Sequence, residues 1–224
     1  KMHQRKGKKI LIYFSILLFV GSINNMKIDE AKLSKIENII VSGLGDIENT
    51  IVLNDIKKLP LENIFFINSN KLISIINSNS LVEEFQIFKK YPSALDIKLK
   101  KTEFLAKIKK NGKIQIIGSN GKLLSNIQFN KELPFIFGSP NIEEFLFFKS
   151  VIDQSNFSYN DIKNLYFFPS KRWDLQLKND VIIKLSQKDI ELSLNNAYYF
   201  LKNENFIHTK IIDARFEKKI ILND

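Results

Sequence analysis

A run of alternating residues next to a proline constrains the fold of this chain most strongly. The stretch "KKYPSALDIKLK", residues 89–100, alternates apolar and polar side chains strictly from Leu95 to Lys100. This period of two is typical of a strand with one face buried and one face in water. Because proline fixes φ and lacks a backbone N–H, Tyr91-Pro92 predicts a turn between two antiparallel strands.

The segments before this run predict one strand and two helices. "IENIIVSG" (36–43) has the composition of a strand, and residues 47–58 carry isoleucines at helical spacing. A second helix is predicted from about Ser69, with Asn68 or Ser69 as its N-cap. Residues 81–91 and 94–100 then form the strand pair. The sequence therefore predicts the order β-α-α-β-β.

The rest of the chain predicts a second α+β module. Hairpin turns are indicated by Asn111-Gly112, Asn120-Gly121 and Asn179-Asp180. Helices are predicted at 139–154, with Pro140 in the first turn, and at 187–203. The prediction is a mostly antiparallel sheet with two helices, packed directly on the first module because no low-complexity linker separates the two. The predicted boundaries are a basic tail (1–9), an apolar segment (10–26), the first module (27–102) and the second module (103–224).

The apolar segment follows a basic cluster, a pattern that directs a chain to a membrane. Residues 10–23, "ILIYFSILLFVGSI", contain no charge. They form either a transmembrane anchor extending to Met26 or a signal peptide cleaved after Ser22. In both cases the N-terminus stays in the cytoplasm and the rest of the chain crosses. The residues expected to anchor the chain are Ile10, Leu11, Phe14, Leu17, Leu18 and Phe19.

Composition and motifs give no sign of catalysis, of a cofactor or of a metal. The chain has no cysteine and two histidines, His3 and His208, and its glycines form no phosphate-binding loop. Ser119 and Lys122 have the Ser-x-x-Lys spacing of acyl-serine enzymes, but they fall in a predicted turn instead of on a helix. Glu83-Glu84 and Glu143-Glu144 are adjacent pairs whose side chains diverge, so neither pair suits glycoside hydrolysis.

The net charge of +10 also gives little support to nucleic-acid binding. Five of the 34 basic residues lie in the first nine positions, and the lysine pairs further along are scattered through predicted strands. These pairs are expected to form solvated strand faces, not a phosphate-binding stripe.

Several motifs, in order, resemble the bacterial cell-division family FtsQ/DivIB. The resemblance covers nearly the whole chain. Its motifs here are "IENIIVSG" (36–43), "NIFFIN" (63–68), "KKYPSALDIKL" (89–99), "LPFIFG" (133–138), "RWDLQLKN" (172–179) and "DARF" (213–216). The chain departs from the family pattern at Lys101, Thr102, Phe104, Gly118 and Ser186.

The resemblance implies a single-pass inner-membrane protein of the division septum, with an uncleaved anchor, a periplasmic POTRA domain and a β domain. It implies a non-catalytic scaffold that binds single-pass partners of the FtsB and FtsL type, docked by strand addition on the last strands. We expect "DARFEKKIILND" to act as this final strand, with Phe216, Ile220 and Leu222 on one face and with Arg215 facing an acidic partner. The expected partner-binding residues are Arg215, Phe216, Lys218, Lys219, Ile220, Leu222 and Trp173.

Alternatives remain at this point. The alternative role of Phe216 and Ile220 is that of core residues behind a capped edge. Trp173 lines the same surface or fills the core of the β domain, and the sequence favours the core slightly. A chaperone-like POTRA protein that binds extended polypeptides and a secreted cell-wall enzyme both stay open as functions.

Overall fold

A computed structural model describes residues 3–22, 35–61, 64–125, 132–202, 209–216 and 219–223. Helix α1, His3–Ser22, contains the apolar segment. The residues expected to anchor the chain are each more than half exposed on it. Among the described residues, no helix combines the length and the apolar character needed to cross a membrane. The predicted transmembrane anchor at 10–26 is therefore not confirmed, and its last four positions lie outside the described residues.

The first module has the predicted β-α-α-β-β order. It consists of β1 (Asn38–Ser42), α2 (Asp46–Lys57), α3 (Ser69–Ser78), β2 (Val82–Lys90) and β3 (Ala94–Lys101). Its sheet has the order β1-β3-β2, with β1 parallel and β2 antiparallel to the central strand. Tyr91-Pro92, a cis peptide, lies in the β2–β3 turn as predicted.

The core of this module lies between the two helices and one face of the sheet. Leu95, Ile97 and Leu99 are buried, as their alternation predicts, and the helices cover them with residues such as Ile56 and Ile76. Helix α3 begins where Asn68 accepts a hydrogen bond from the Lys71 N–H, which confirms the predicted cap.

The second module is a nine-stranded sheet with two long helices. Its strands are β4 (Phe104–Lys110), β5 (Lys113–Gly118), β6 (Leu123–Leu124), β7 (Phe135–Phe137), β8 (Ile162–Phe167), β9 (Trp173–Leu177), β10 (Ile182–Leu185), β11 (Ile211–Phe216) and β12 (Lys219–Asn223). The helices are α4 (Ile142–Gln154) and α5 (Ile190–Leu201), and a 3₁₀ turn occupies Tyr159–Asp161. The strand order is β12-β11-β10-β9-β8-β7-β4-β5-β6.

This sheet is mixed, although antiparallel pairs predominate. Among its described strands, β4–β7, β7–β8 and β10–β11 are parallel and the other five pairings are antiparallel. Two of the parallel pairs are joined through α4 and α5, because a parallel pair requires a crossover connection. Phe145, Phe148 and Leu194 from these helices pack into the core. Pro140 precedes the N-cap Asn141 instead of lying in the first turn, and Glu144 completes a capping box.

A short turn joins the two modules directly. We call Ser119, Asn120 and Lys122 the clasp. The Asn120 amide donates to the carbonyls of Ser80 (3.0 Å) and Val82 (2.9 Å). The Lys122 ammonium donates to the carbonyl of Asn77 at 2.6 Å, and the Ser119 hydroxyl to Glu83 at 2.7 Å. The expectation of direct packing is thus confirmed.

Candidate partner-binding edge

Strand β12 forms one end of the nine-stranded sheet. It pairs on one side with β11, with Ile212 opposite Leu222 and Asp213 opposite Ile221. In the part of the chain that the structure describes, no strand lies beyond it. Because backbone groups of successive residues point to opposite sides of a strand, this edge presents a row of N–H and C=O groups to an incoming chain.

The carboxyl-terminal segment is two strands, not the single strand that its alternation suggested. β11 ends at Phe216, β12 begins at Lys219, and these two residues face each other across the hairpin. Phe216 and Ile220 consequently do not share a strand face. Phe216 is 51% exposed, whereas Ile220 packs against the core.

The structure places the predicted partner-binding residues in different environments. Arg215 and Phe216 are exposed at the end of β11. Lys219 and Leu222 lie in β12, and Lys218 lies outside the described residues, as does His208. Ile221, which is exposed and was not predicted, presents its side chain on the same sheet face as Asp213.

Trp173 belongs to the core and not to the partner surface. Its side chain is 3% exposed, and its ring stacks on Phe148 with centroids 4.5 Å apart. Phe145 and Phe167 contact the same ring. The inclusion of Trp173 in the predicted site was therefore wrong, because α4 covers this face of the sheet.

A bidentate ion pair holds Arg215 on the sheet surface. Its Nε and an Nη donate to the two carboxylate oxygens of Asp213 at 2.7 and 2.6 Å. Burial raises the pKa of Asp213, but the hydrogen bonds from the Arg215 side chain and backbone outweigh it, so the net pKa is lowered. The pKa of Arg215 is raised, mainly by its hydrogen bond to Asp213. Arg215 is thus held in position and keeps further N–H donors for a partner.

A second ion pair lies on the same sheet face. Arg172 donates to the two oxygens of Asp174 at 3.0 and 3.1 Å, and Asp174 is almost fully buried. Strand register places Lys184 opposite both Asp174 and Asp213. The result is a row of alternating charges, which we call the charge row, that leads across three strands toward β12. Its residues are Arg172, Asp174, Lys184, Asp213 and Arg215.

Sequence reasoning identified only Arg215 in this row. The remaining members lie among apolar residues and look like ordinary solvated strand positions. The signal available in the sequence was the alternation of side chains along β9. Asp174 lies between Trp173 and Leu175, so it is on the sheet face away from the helices. That face was not predicted to carry a partly buried charge network.

The other candidate chemical groups have structural partners. Ser119 and Lys122 form part of the clasp and lie on a turn. No group of His, Cys, Asp and Glu side chains within the described ranges is arranged to hold a metal ion.

Comparison with known proteins identifies the class to which this fold belongs. Residues 34–101 match the model for the POTRA domain, FtsQ-type, and residues 106–215 match the model for the C-terminal domain of the cell division protein FtsQ/DivIB. The chain is thus built from a POTRA domain followed by an FtsQ/DivIB C-terminal domain. It belongs to the FtsQ/DivIB family of bacterial cell-division proteins.

Two relatives in sequence agree with this assignment. The chain is 25% identical to the cell division protein FtsQ of Rickettsia bellii, over 83% of this chain and 70% of the relative. It is 26% identical to the cell division protein DivIB of Clostridium botulinum, over 97% and 91%. A solved structure of the major extracytoplasmic domain of DivIB from Geobacillus stearothermophilus, in its trans isomer, matches 44% of this chain and 89% of that chain, with 9% identity and a TM-score of 0.34.

Proposed function

We propose that this protein is a non-catalytic scaffold of the division machinery that binds a partner by strand addition at β12. A single observation carries the proposal: β12 is the terminal strand of a nine-stranded sheet, and its outer edge faces away from β11. A partner segment in extended conformation would continue the ladder through backbone hydrogen bonds.

Side chains next to this edge supply the specificity that backbone pairing lacks. Phe216 and Ile221 are half exposed and offer apolar contact area on either side of the hairpin. Arg215, fixed by Asp213, presents a positioned guanidinium to an acidic residue of the partner. These features support a partner strand with apolar residues at alternate positions and a carboxylate near its end.

The proposed partners are single-pass division proteins of the FtsB and FtsL type. The family assignment supports a role in division, and the resemblance in sequence is the basis for these two partners. The proposed location is the septal membrane, with the two modules on the periplasmic side. The exposed apolar side chains of α1 support attachment to lipid.

The proposal is tested by co-purification from membranes of a dividing host. The intact chain should recover its division partners, and a chain lacking residues 219–224 should lose them. The point variant Phe216→Ala should reduce recovery by about tenfold, since an exposed anchor of this kind contributes about 1–2 kcal/mol. Phe147→Ala is the matched control, because Phe147 is also a phenylalanine more than half exposed, and it lies on α4.

The outcomes separate this function from its main alternative. Strand β2 also lies at a sheet edge, in the first module, so binding of extended polypeptides there is a second candidate. If deletion of 219–224 leaves recovery unchanged while substitutions on β2 abolish it, the chaperone-like function replaces the scaffold proposal. Equal losses in Phe216→Ala and Phe147→Ala would also contradict docking at β12.

A further inference from the structure

The end of the first module where the chain enters carries a cluster of exposed aromatic rings. Residues 36 and 37 are fixed there, because the Ile36 N–H donates to the Leu61 carbonyl at 3.3 Å and the Glu37 N–H to the Ser93 carbonyl at 2.9 Å. The β2–β3 turn, Leu61 and the start of β1 therefore meet at one end of the module.

Three aromatic residues project from this end. Phe66 is 80% exposed, Tyr91 60% and Phe65 55%, and the rings of Phe65 and Tyr91 lie 4.9 Å apart. We call these three residues the aromatic tip. Their exposure leaves apolar surface in contact with water, which is unfavourable. A lipid layer or a binding partner that covers this surface would remove the penalty.

The charged residues that the structure describes near the tip are mainly positive. Lys35 and Lys89 are exposed beside it, and Lys90 pairs with Asp96 at 2.7 Å. Glu37 is an exposed acidic residue among those described beside the tip. Aromatic rings together with lysines are the combination that settles at the boundary between lipid headgroups and acyl chains.

The position of the tip in the chain points to a lipid surface as its occupant. Helix α1 ends at Ser22, and the next described residue is Lys35. Even a fully extended connection of this length spans only about 45 Å. Since the chain enters the module at the tip, this end is the part of the module tethered closest to the apolar helix.

We propose that the aromatic tip rests on the headgroup layer of an anionic membrane and orients the first module there. This inference rests on the proposed membrane attachment of α1. In this arrangement Phe66 enters the interface, Tyr91 keeps its hydroxyl in water, and Lys35 and Lys89 contact lipid phosphates. The tip thereby fixes which way the partner-binding edge of the second module faces.

Quenching of a tryptophan reporter by brominated lipid tests the proposal on the full chain. Three variants, Phe66→Trp, Phe14→Trp and Tyr199→Trp, are each reconstituted in phosphatidylglycerol vesicles with brominated acyl chains. Trp173 is buried and contributes the same background in every variant. Phe14 lies on α1, and Tyr199 is an exposed aromatic residue of the second module. We expect at least twofold stronger quenching in Phe66→Trp than in Tyr199→Trp.

The three reporters distinguish failure of the inference from failure of its premise. Quenching in Phe14→Trp without quenching in Phe66→Trp would overturn the aromatic tip as a lipid contact and would leave membrane attachment intact. Absence of quenching in both would overturn attachment as well. Equal quenching in Phe66→Trp and Tyr199→Trp would indicate unspecific adsorption and would also reject the proposal.

Discussion

At the scale of single residues, close backbone approaches decide which positions tolerate a side chain. Gly43 directly follows β1 with φ at +117°, and a Cβ there would lie 1.7 Å from the carbonyl oxygen of Leu99. Gly118 has ordinary φ, but a Cβ would lie 2.7 Å from Asn120 Oδ1 and from Thr102 Oγ1. The departure of Gly118 from the family pattern therefore fits the tight packing behind the clasp.

Substitution of Gly43 by alanine should destabilise the protein strongly. The added methyl group collides with backbone, which cannot move aside without breaking the β1–β3 pairing. We therefore expect the free energy of unfolding to fall by more than about 3 kcal/mol. Gly112→Ala is the control: Gly112 also has positive φ, but no atom of the described residues beyond its chain neighbours lies within 4 Å of the place that a methyl group would take. For Gly112→Ala we expect the free energy of unfolding to fall by about 1–2 kcal/mol, from the strain of a positive φ alone. Denaturant unfolding of both variants measures the difference, and equal losses would contradict the steric explanation.

At the scale of elements, strand pairing converts isolated charges into a network. β9, β10 and β11 each contribute to the charge row, and their register aligns Asp174, Lys184 and Asp213 side by side. The two aspartates are nearly buried, yet each has a bidentate arginine two residues away. The sheet therefore carries these charges without an unpaired carboxylate, and it holds Arg215 ready beside the edge strand.

The Asp213–Arg215 pair should make stability depend on pH at the acidic end. Because the pKa of Asp213 is lowered in the folded protein, its contribution is present above the ordinary value of 3.8 and is lost as pH falls through the lowered pKa. Asp213→Asn should cost about 1–3 kcal/mol at pH 7, since it removes a charged hydrogen-bond acceptor.

Below about pH 4 the difference between Asp213→Asn and the unsubstituted protein should narrow, because the Asp213 carboxylate of the unfolded chain then binds a proton more readily than the native one, whose pKa is lowered. Unfolding midpoints from pH 7 to pH 3 measure this. Asp55→Asn serves as the control, since Asp55 pairs with Lys58 on an exposed helix surface and such pairs contribute little. A constant difference in unfolding midpoint between Asp213→Asn and the unsubstituted protein across the pH range would show that the Asp213–Arg215 pair does not cause the pH dependence of stability.

At the scale of the whole molecule, the clasp couples the first module to the second. The Asn120 amide is shared between the Ser80 and Val82 carbonyls, just before and at the start of β2. The Thr102 N–H, between β3 and β4, donates to the Leu81 carbonyl at 2.8 Å. Surfaces on the two modules, including the aromatic tip and the β12 edge, are thereby held in a defined relation.

Asn120→Ala should uncouple the modules. Two carbonyls lose their donor, so we expect the free energy of unfolding to fall by about 1–3 kcal/mol. In calorimetry the two modules should then unfold in separate transitions. Asn179→Ala is the matched control. In the described structure, the Asn179 side chain accepts one hydrogen bond, from the Val181 N–H of its own hairpin, and makes none to the first module. The control should keep a single transition at slightly lower temperature. A single, unshifted transition in Asn120→Ala would contradict the coupling role.

Local patterns in the sequence determined the elements of this protein. The alternation from Leu95 to Lys100, the Asn68 cap and the turns at Asn111-Gly112 and Tyr91-Pro92 depend on interactions within a few residues, so the chain reveals them directly. The α+β class and the order of the first module followed from such signals. The domain boundaries and the docking residues stay predictions.

Tertiary structure alone decided how these elements are arranged and what each face meets. Four features depend on contacts between residues distant in sequence. They are the split of the last segment into β11 and β12, the burial of Trp173 under α4, the parallel pairs in the second sheet and the charge row. A period of two marks two faces of a strand but does not say which neighbour either edge pairs with. The edge position of β12, on which the proposed function depends, is a property of the strand order of the whole sheet.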